Sequence, residues 1–433
     1  MELAVASKAT QIQTSTSGGW LAYDCALTRE VGVGWPSVRK RIHVPRAMTT
    51  SSTDHVAGRP VEPGRQLGVM LVEQAGRTSN EWEVFAQLPE SQVTLVSNRG
   101  GWGADREVVL PTVHTPLVSS HEAWTAAPAW MRGMDRLDTE HIDLIVSLEL
   151  FSFSSLQASR LARRAGIPHA VIVFETMADN PLYRLPPWRL VTSSVRRHAD
   201  AFLCVTPRAE RHLVELGCDR SRCRPLGLGV DINVFEPAPE LQPSPEVLFV
   251  GMLRANRGAD KGVHDIVEAC RRLRATSIPD LRLRLVGDGH LREELEATAR
   301  REPFLQVTRH VPRSEIPALM RQSRCLVLAS KRTLKWEEQF GFVMVEAMAC
   351  GLPVVATRSG AIPDVVPDPD RLVPEGDIDA LTSAIDRALG PVAEELGRRN
   401  REFAMRHYAM DLQAARLQET LQELAALPPA RPR

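Results

Sequence analysis

The stretch WEEQFGFVMVEAMACGLPVVAT, residues 336–357, decides the reading of this chain. Residues 342–350 fit a helix: Val343, Ala347 and Cys350 share a face, with Val345, Met348 and Ala349 close by. Gly351 is a natural stop and Pro353 forbids continuation. A strand-like run, residues 353–356, follows. The helix therefore begins near Gly341, where amides without intrahelical partners and the positive dipole end favour a phosphate. Glycine at that point leaves no Cβ between backbone and ligand. Two carboxylates, Glu338 and Glu346, stand eight residues apart around this helix start. By itself such a pair is an ordinary surface feature of an amphipathic helix. With the Phe340-Gly341 step and the strand behind it, the segment suits an anionic, sugar-bearing ligand, with amides on phosphates and carboxylates on hydroxyls.

Working outward, the 433 residues are 43% hydrophobic and 24% charged, with no run of 18 apolar residues. That describes a soluble globular protein large enough for two cores. Net charge is zero, from 53 basic and 53 acidic residues, so no global field argues for nucleic acid as a partner. A local basic cluster, residues 194–198, is an exception in miniature. The seven cysteines are scattered and no pair has zinc-ligand spacing. They read as free thiols in a reducing cytosol, with peripheral contact at the inner membrane face left open. No continuous apolar segment at the N-terminus marks a signal peptide. Residues 1–65 are rich in Ser, Thr, Gly and Pro and read as a disordered or poorly packed leader. The first strand-like run starts only at Leu67, which raises Met48 as an alternative start of translation.

From Leu67 short apolar runs alternate with amphipathic stretches, the pattern of parallel βαβ units. Strands are expected at 67–72, 92–97, 142–148, 169–173 and 201–205, with helices at 154–165 and 208–216. A Pro-rich connection spans 237–245. The alternation restarts at 247–250, followed by a helix at 263–273, a strand at 283–286, a helix at 291–300 and a strand at 325–329. Asp377 caps a helix carrying Leu381, Ile385 and Leu389, which Gly390 closes. A last helix, 410–426, carries Ala414, Leu417, Leu421 and Leu424 at helical spacing. The expected class is α/β, with two doubly wound Rossmann-like domains and a ligand crevice at the carboxyl ends of both sheets.

The string at 336–357 resembles the E-x7-E donor-site signature of the retaining, metal-independent glycosyltransferases of family 4. The likeness is strong over 245–390, moderate over 140–237 and weak before 140. It implies the GT-B architecture: an acceptor-side domain at 66–238, a linker at 239–246, a donor domain at 247–395, and a helical segment, 396–433, crossing back to the first domain. It implies transfer of a hexose-type unit from a nucleoside-diphosphate sugar to a hydroxyl of a glycan, lipid or small molecule. Configuration would be retained and no metal or other cofactor needed. On the same resemblance Glu338 positions the donor sugar, Glu346 holds the ribose, and amides at Gly341 and Phe342 face the diphosphate.

Further residues join that expected site. Family members carry a basic residue just after the glycine matching Gly251, and a Lys-Gly pair at the following helix start. Lys261-Gly262 matches the pair. Met252 stands at the first basic position, so Arg254 or Arg257 takes the role or it is vacant. Cations there suit a leaving diphosphate, because charged hydrogen bonds worth ~1.5–3 kcal/mol each matter most as negative charge develops. Gly287, in the turn Val286-Gly287-Asp288-Gly289, resembles a turn lining the donor cleft and is a candidate for close ligand approach. The loop at 310–312 matches the place where family members hold the base through backbone atoms. The first domain departs from the pattern. Its first loop has the single Gly76 where relatives carry a glycine pair near the donor phosphates. Phe174-Glu175-Thr176 stands where many relatives carry a His, so either Glu175 replaces it as a site residue or the acceptor is managed differently, with Glu175 in a capping or surface role. A nucleotide-sugar epimerase and a non-catalytic nucleotide-sugar-binding subunit are the rival functions.

Overall fold

The computed structural model describes residues 65–73, 82–97, 110–115, 130–239, 244–256, 259–366, 368 and 371–428. The leader through residue 64, Gly76, Arg257 and residues 240–243 of the expected linker lie outside the described residues.

The first sheet is built from β1 (Leu67–Glu73), β2 (Ser91–Ser97), β3 (Thr112–His114), β4 (Leu144–Leu148), β5 (His169–Val173), β6 (Ala201–Cys204) and β7 (Cys223–Pro225). Its order is β3-β2-β1-β4-β5-β6-β7, and every pairing is parallel. Helices α1 (Glu83–Ala86), α2 (Phe153–Ala165), α3 (Trp188–His198) and α4 (Pro207–Glu215) connect these strands. The central strands β4 and β5 are buried along their whole length. Covered on both faces, parallel strands read as near-continuous apolar runs, as in Leu-Ile-Val-Ser-Leu and His-Ala-Val-Ile-Val, whose polar members Ser147 and His169 pair with each other at 2.8 Å.

The second sheet contains β8 (Glu246–Val250), β11 (Arg282–Val286), β12 (Leu305–Thr308), β13 (Cys325–Leu328), β14 (Val354–Thr357) and β15 (Leu372–Val373), in the order β12-β11-β8-β13-β14-β15. All its pairings are parallel as well. A two-stranded hairpin, β9 (Ala255–Asn256) with β10 (Ala259–Asp260), stands between β8 and α5 (Val263–Thr276). The remaining helices are α6 (Arg292–Arg301), α7 (Ile316–Gln322), α8 (Phe342–Ala349), α9 (Ile362–Val365), α10 (Ile378–Leu389), α11 (Ala393–Tyr408) and α12 (Met410–Ala425). The Asp377 side chain accepts from the Ala380 amide, capping α10. Among the described residues no helix is long and apolar enough to cross a membrane.

Several elements escaped the sequence pattern. β7, at one edge of the first sheet, is three residues long and half-exposed, so no apolar run announces it. α11 is mostly polar and buries only Ala393, Gly397, Asn400 and Ala404. Small residues let its backbone approach closely: a Cβ on Gly397 would stand 2.0 Å from the carbonyl oxygen of Gly351.

The chain passes between the sheets twice. The outward and return passes meet at Val230 and Ala409, which form an isolated parallel bridge. There Val230 N donates to Tyr408 O at 2.8 Å and Met410 N donates to Val230 O at 3.1 Å. Arg401 of α11 pins this region by donating to the carbonyls of Ile232, Phe235 and Ala349. After the return pass, α12 packs on α1 and β4. Gln418 Oε1 accepts from Ser91 Oγ at 2.9 Å, and Leu417, Leu421 and Leu424 face the core. Leu421 is fully buried, so Leu421→Ala should lower unfolding free energy by about 2–5 kcal/mol through lost transfer energy and a residual cavity. Urea denaturation checks this, and a loss well under about 1 kcal/mol would contradict an α12 integral to the first core.

Candidate active site

In the second sheet the strand order reverses between β8 and β13, so the crevice for a ligand lies beyond the carboxyl ends of these strands. Three loops meet there. Gly251 follows β8, Gly287 follows β11, and Ser330 lies just beyond β13. Gly287 has φ +152°, and a Cβ on it would stand 1.8 Å from the Gly251 carbonyl oxygen. Glycine is therefore required for two strand-end loops to touch backbone to backbone.

Glu338 is 6% exposed and is held from two sides. Its Oε2 accepts from Lys261 Nζ at 2.7 Å and from Ser330 Oγ at 2.7 Å. Its Oε1 accepts nothing among the described residues. Lys261 also stands over the Trp336 ring, 4.6 Å from its centre, so the cation is fixed between an aromatic face and a carboxylate. The Lys261 amide donates to Arg254 O at 2.9 Å, which places Arg254 directly across from it. The neighbouring Gly262 opens α5, and Lys331 ties that end down by pairing with Asp265 at 2.8 Å. Glu338 is further fixed through its backbone, since the Ala361 amide donates to its carbonyl at 2.8 Å.

Helix α8 starts where the spacing placed it. Gly341 caps it at φ +76° and ψ 61°, a left-handed conformation suited to glycine. The amides of Phe342 and Val343 belong to the first turn, where no intrahelical acceptor exists. One turn on, Glu346 Oε1 accepts from Arg313 Nη2 at 2.9 Å. Arg313 Nη1 donates to Glu83 Oε2 at 2.7 Å, and the guanidinium stacks 5.4 Å from the centre of the Phe235 ring. Burial pushes the Glu346 carboxyl above the ordinary range, and Arg313 opposes that shift. Arg313 is a neighbour that sequence reasoning missed; only its place just after the base-side loop at 310–312 hinted at it.

On the first sheet, Glu73, Glu149 and Glu175 lie buried at the carboxyl ends of β1, β4 and β5. Glu175 Oε1 accepts from the amides of Thr176 and Met177, both at 2.8 Å, and its Oε2 accepts from Asn180 Nδ2 at 3.1 Å. This carboxylate organises its own loop. Burial raises its pKa and those three hydrogen bonds counter the rise.

Ion pairs join the two sheets' elements beside Glu338. Arg208 of α4 grips Glu337 with Nε at 2.6 Å and Nη2 at 3.0 Å, and its amide donates to Asp364 at 2.7 Å. Arg332 donates to both oxygens of Asp179 at 2.8 Å. Glu337 is 1% exposed and, like Arg208, was not singled out from the sequence. Next to Arg208 on α4, His212 is buried against the Tyr183 ring, and neither ring nitrogen has a hydrogen-bond partner.

Two family models match the two halves of the chain. Residues 244–390 match the family described as glycosyl transferases group 1, and residues 82–229 match the glycosyl transferase 4-like domain. A GDP-mannose-dependent alpha-(1-6)-phosphatidylinositol monomannoside mannosyltransferase of Mycolicibacterium smegmatis is 29% identical over 281 residues, 60% of this chain and 72% of that protein. A 2-deoxystreptamine N-acetyl-D-glucosaminyltransferase of Streptomyces fradiae is 28% identical over 309 residues, 64% of this chain and 69% of that protein. Against three further relatives the aligned stretch spans less than half of their length. Among solved structures, Anabaena HepE in complex with UDP and glucose superposes with TM-score 0.63 at 18% identity, covering 83% of this chain and all of that one. That likeness is one of fold.

The buried histidines set an acid limit. Burial lowers His212 from 6.5 to about 4 and His169 from 6.5 to about 3. Between the unfolded and folded values the unfolded chain binds more protons, so their contribution to stability is full above pH 6.5 and falls as acid is added. Raised carboxylates such as Glu346 act in the opposite sense. His212→Gln should flatten the decline between pH 6.5 and about 4, by at most ~1.4 kcal/mol per pH unit. Urea unfolding across that range checks it, and an unchanged slope would contradict a neutral buried His212.

Proposed function

The chain belongs to the group 1, GT4-like glycosyltransferases, enzymes of the GT-B fold, and from that premise we propose that it moves a hexose-type unit from a nucleoside-diphosphate sugar to an acceptor hydroxyl with retention of configuration. One observation carries the assignment of the donor site. Glu338 has Oε2 clamped by Lys261 and Ser330 while Oε1 has no partner among the described residues, and this carboxylate stands just ahead of the Gly341 helix start. A sugar hydroxyl donating to Oε1 and a diphosphate near Lys261 and the α8 amides would satisfy the arrangement.

In the step itself a bond forms between the acceptor oxygen and the anomeric carbon. The bond from that carbon to the diphosphate oxygen breaks, and both its electrons leave with the nucleoside diphosphate. The acceptor proton passes to the departing phosphate or to water. Lys261, with Arg254 and Arg257 as further cations, stabilises the charge that grows on the diphosphate. Phe342 and Gly341 contribute amides, Glu346 holds the ribose, and Gly287 keeps the strand-end loops in contact. Glu175 and Gly76 belong to the acceptor-side domain, where Glu175 shapes the loop after β5. The acceptor is a glycan, lipid or small-molecule hydroxyl.

Glu338→Gln should cut transfer by roughly 100-fold while leaving nucleoside diphosphate affinity within about threefold, because the interaction lost is one to the sugar. Glu346→Gln should weaken nucleoside diphosphate binding at least about tenfold, the loss of one charge-assisted hydrogen bond. Titration calorimetry with UDP and GDP, alongside transfer assays, separates the two. If both variants behave as wild type, the donor-site assignment fails. Turnover of the sugar nucleotide to an isomer without acceptor would favour an epimerase.

A further inference from the structure

A polar cleft of about 450 Å³ opens beside Glu337, between the loop after β5 with α4 on one side and Arg332 on the other. We infer that this cleft seats a phosphoryl group carried by the acceptor, an inference that rests on the transferase reading above.

Donors outnumber acceptors among its side chains. Arg184, Arg208, Arg211 and Arg332 all line it. Arg208 spends Nε and Nη2 on Glu337, and Arg332 spends Nη2 on Asp179, so Nη1 of each keeps its donors among the described residues. Arg211 reaches Asp364 only at 3.3 Å and with one nitrogen. Arg184 has no partner among the described residues. Two deeply buried side chains add unused groups to the same lining. Thr176, 5% exposed, has a hydroxyl without a partner, and His212, 1% exposed, has two unpartnered ring nitrogens. A ligand rich in acceptors and negative charge would take up the guanidinium donors, the Thr176 hydroxyl and the protonated nitrogen of the neutral His212 ring; a neutral sugar would leave most of the guanidinium donors unused.

Internal carboxylates occupy the arginines meanwhile. Asp179 and Glu215 line the cleft, with Glu337 and Asp364 behind it, and they balance the four cations. Of the paired ones, Glu337 is immobile, its side chain wholly buried, whereas the Asp179 side chain is 62% exposed. Asp179 stands on Arg332 as a removable substitute for the ligand's oxygens. The site is also where an acceptor belongs: Arg208 grips the residue next to Glu338, and Arg332 lies two residues beyond Ser330, which holds Glu338.

The test keeps the donor cleft filled, by saturating the full chain with UDP or GDP, and titrates inorganic phosphate calorimetrically. Wild type should bind phosphate, Arg184→Gln should bind it roughly tenfold more weakly, and Asp179→Asn severalfold more tightly. Absence of phosphate binding, equal binding by Arg184→Gln, or weaker binding by Asp179→Asn would each overturn the proposal. Glucose 6-phosphate against glucose, and vesicles with phosphatidylinositol against phosphatidylcholine alone, then identify a soluble or a lipid-borne phosphoryl group as the source. Nucleoside diphosphate binding is read separately. Its failure would count against the transferase reading, and the effect of Arg184→Gln on phosphate binding to the unfilled protein would still decide the anion site.

Discussion

Two adjacent carboxylates, buried and committed to different partners, fix the centre of this protein. Glu338 is bound by Lys261 and Ser330 within the second sheet's half, and Glu337 by Arg208 from the first. Each charge is compensated, which burial demands; removing one partner from such a pair commonly costs ~3–5 kcal/mol, because an unpaired charge stays behind. The loop ahead of α8 thus cannot shift without breaking two ion pairs of opposite allegiance. Helix α8, its Gly341 cap and the first-turn amides inherit their position from that loop.

A second link runs parallel to the first. Arg313 is shared between Glu346 on α8 and Glu83 on α1, so the carboxylate assigned to the ribose touches the first sheet's half through one guanidinium. Both glutamates of the motif region are therefore wired across the cleft, one through its neighbour and the other through its counter-ion. Occupancy of the donor site and the relation between the halves share the same side chains.

The sequence made legible whatever is local. Strands β4, β5, β13 and β14 are mostly apolar because both faces are covered, and helix α8 is bounded by glycines that its own turns require. Asp377 and the Leu381-Ile385-Leu389 stripe were readable for the same reason. Partnerships were not. Arg208 and Glu337 lie 129 residues apart, and Glu83 and Arg313 lie 230 apart, with no periodicity to announce either. Gly287 shows a subtler limit: the need for glycine was visible, but what crowds it is the Gly251 carbonyl, which only the packing of two strand ends reveals. At Glu175 the residues left replacement of a His and a capping or surface role open, and the hydrogen bonds from Thr176, Met177 and Asn180, which tie the carboxylate to its own loop, were not legible in them.

The paired crossing at Val230 and Ala409 has a mechanical consequence. A single covalent tether leaves the two halves free to turn in every direction, whereas two chain passes tied side by side by two hydrogen bonds restrict that freedom. A relative motion of the two halves would have to turn about this crossing.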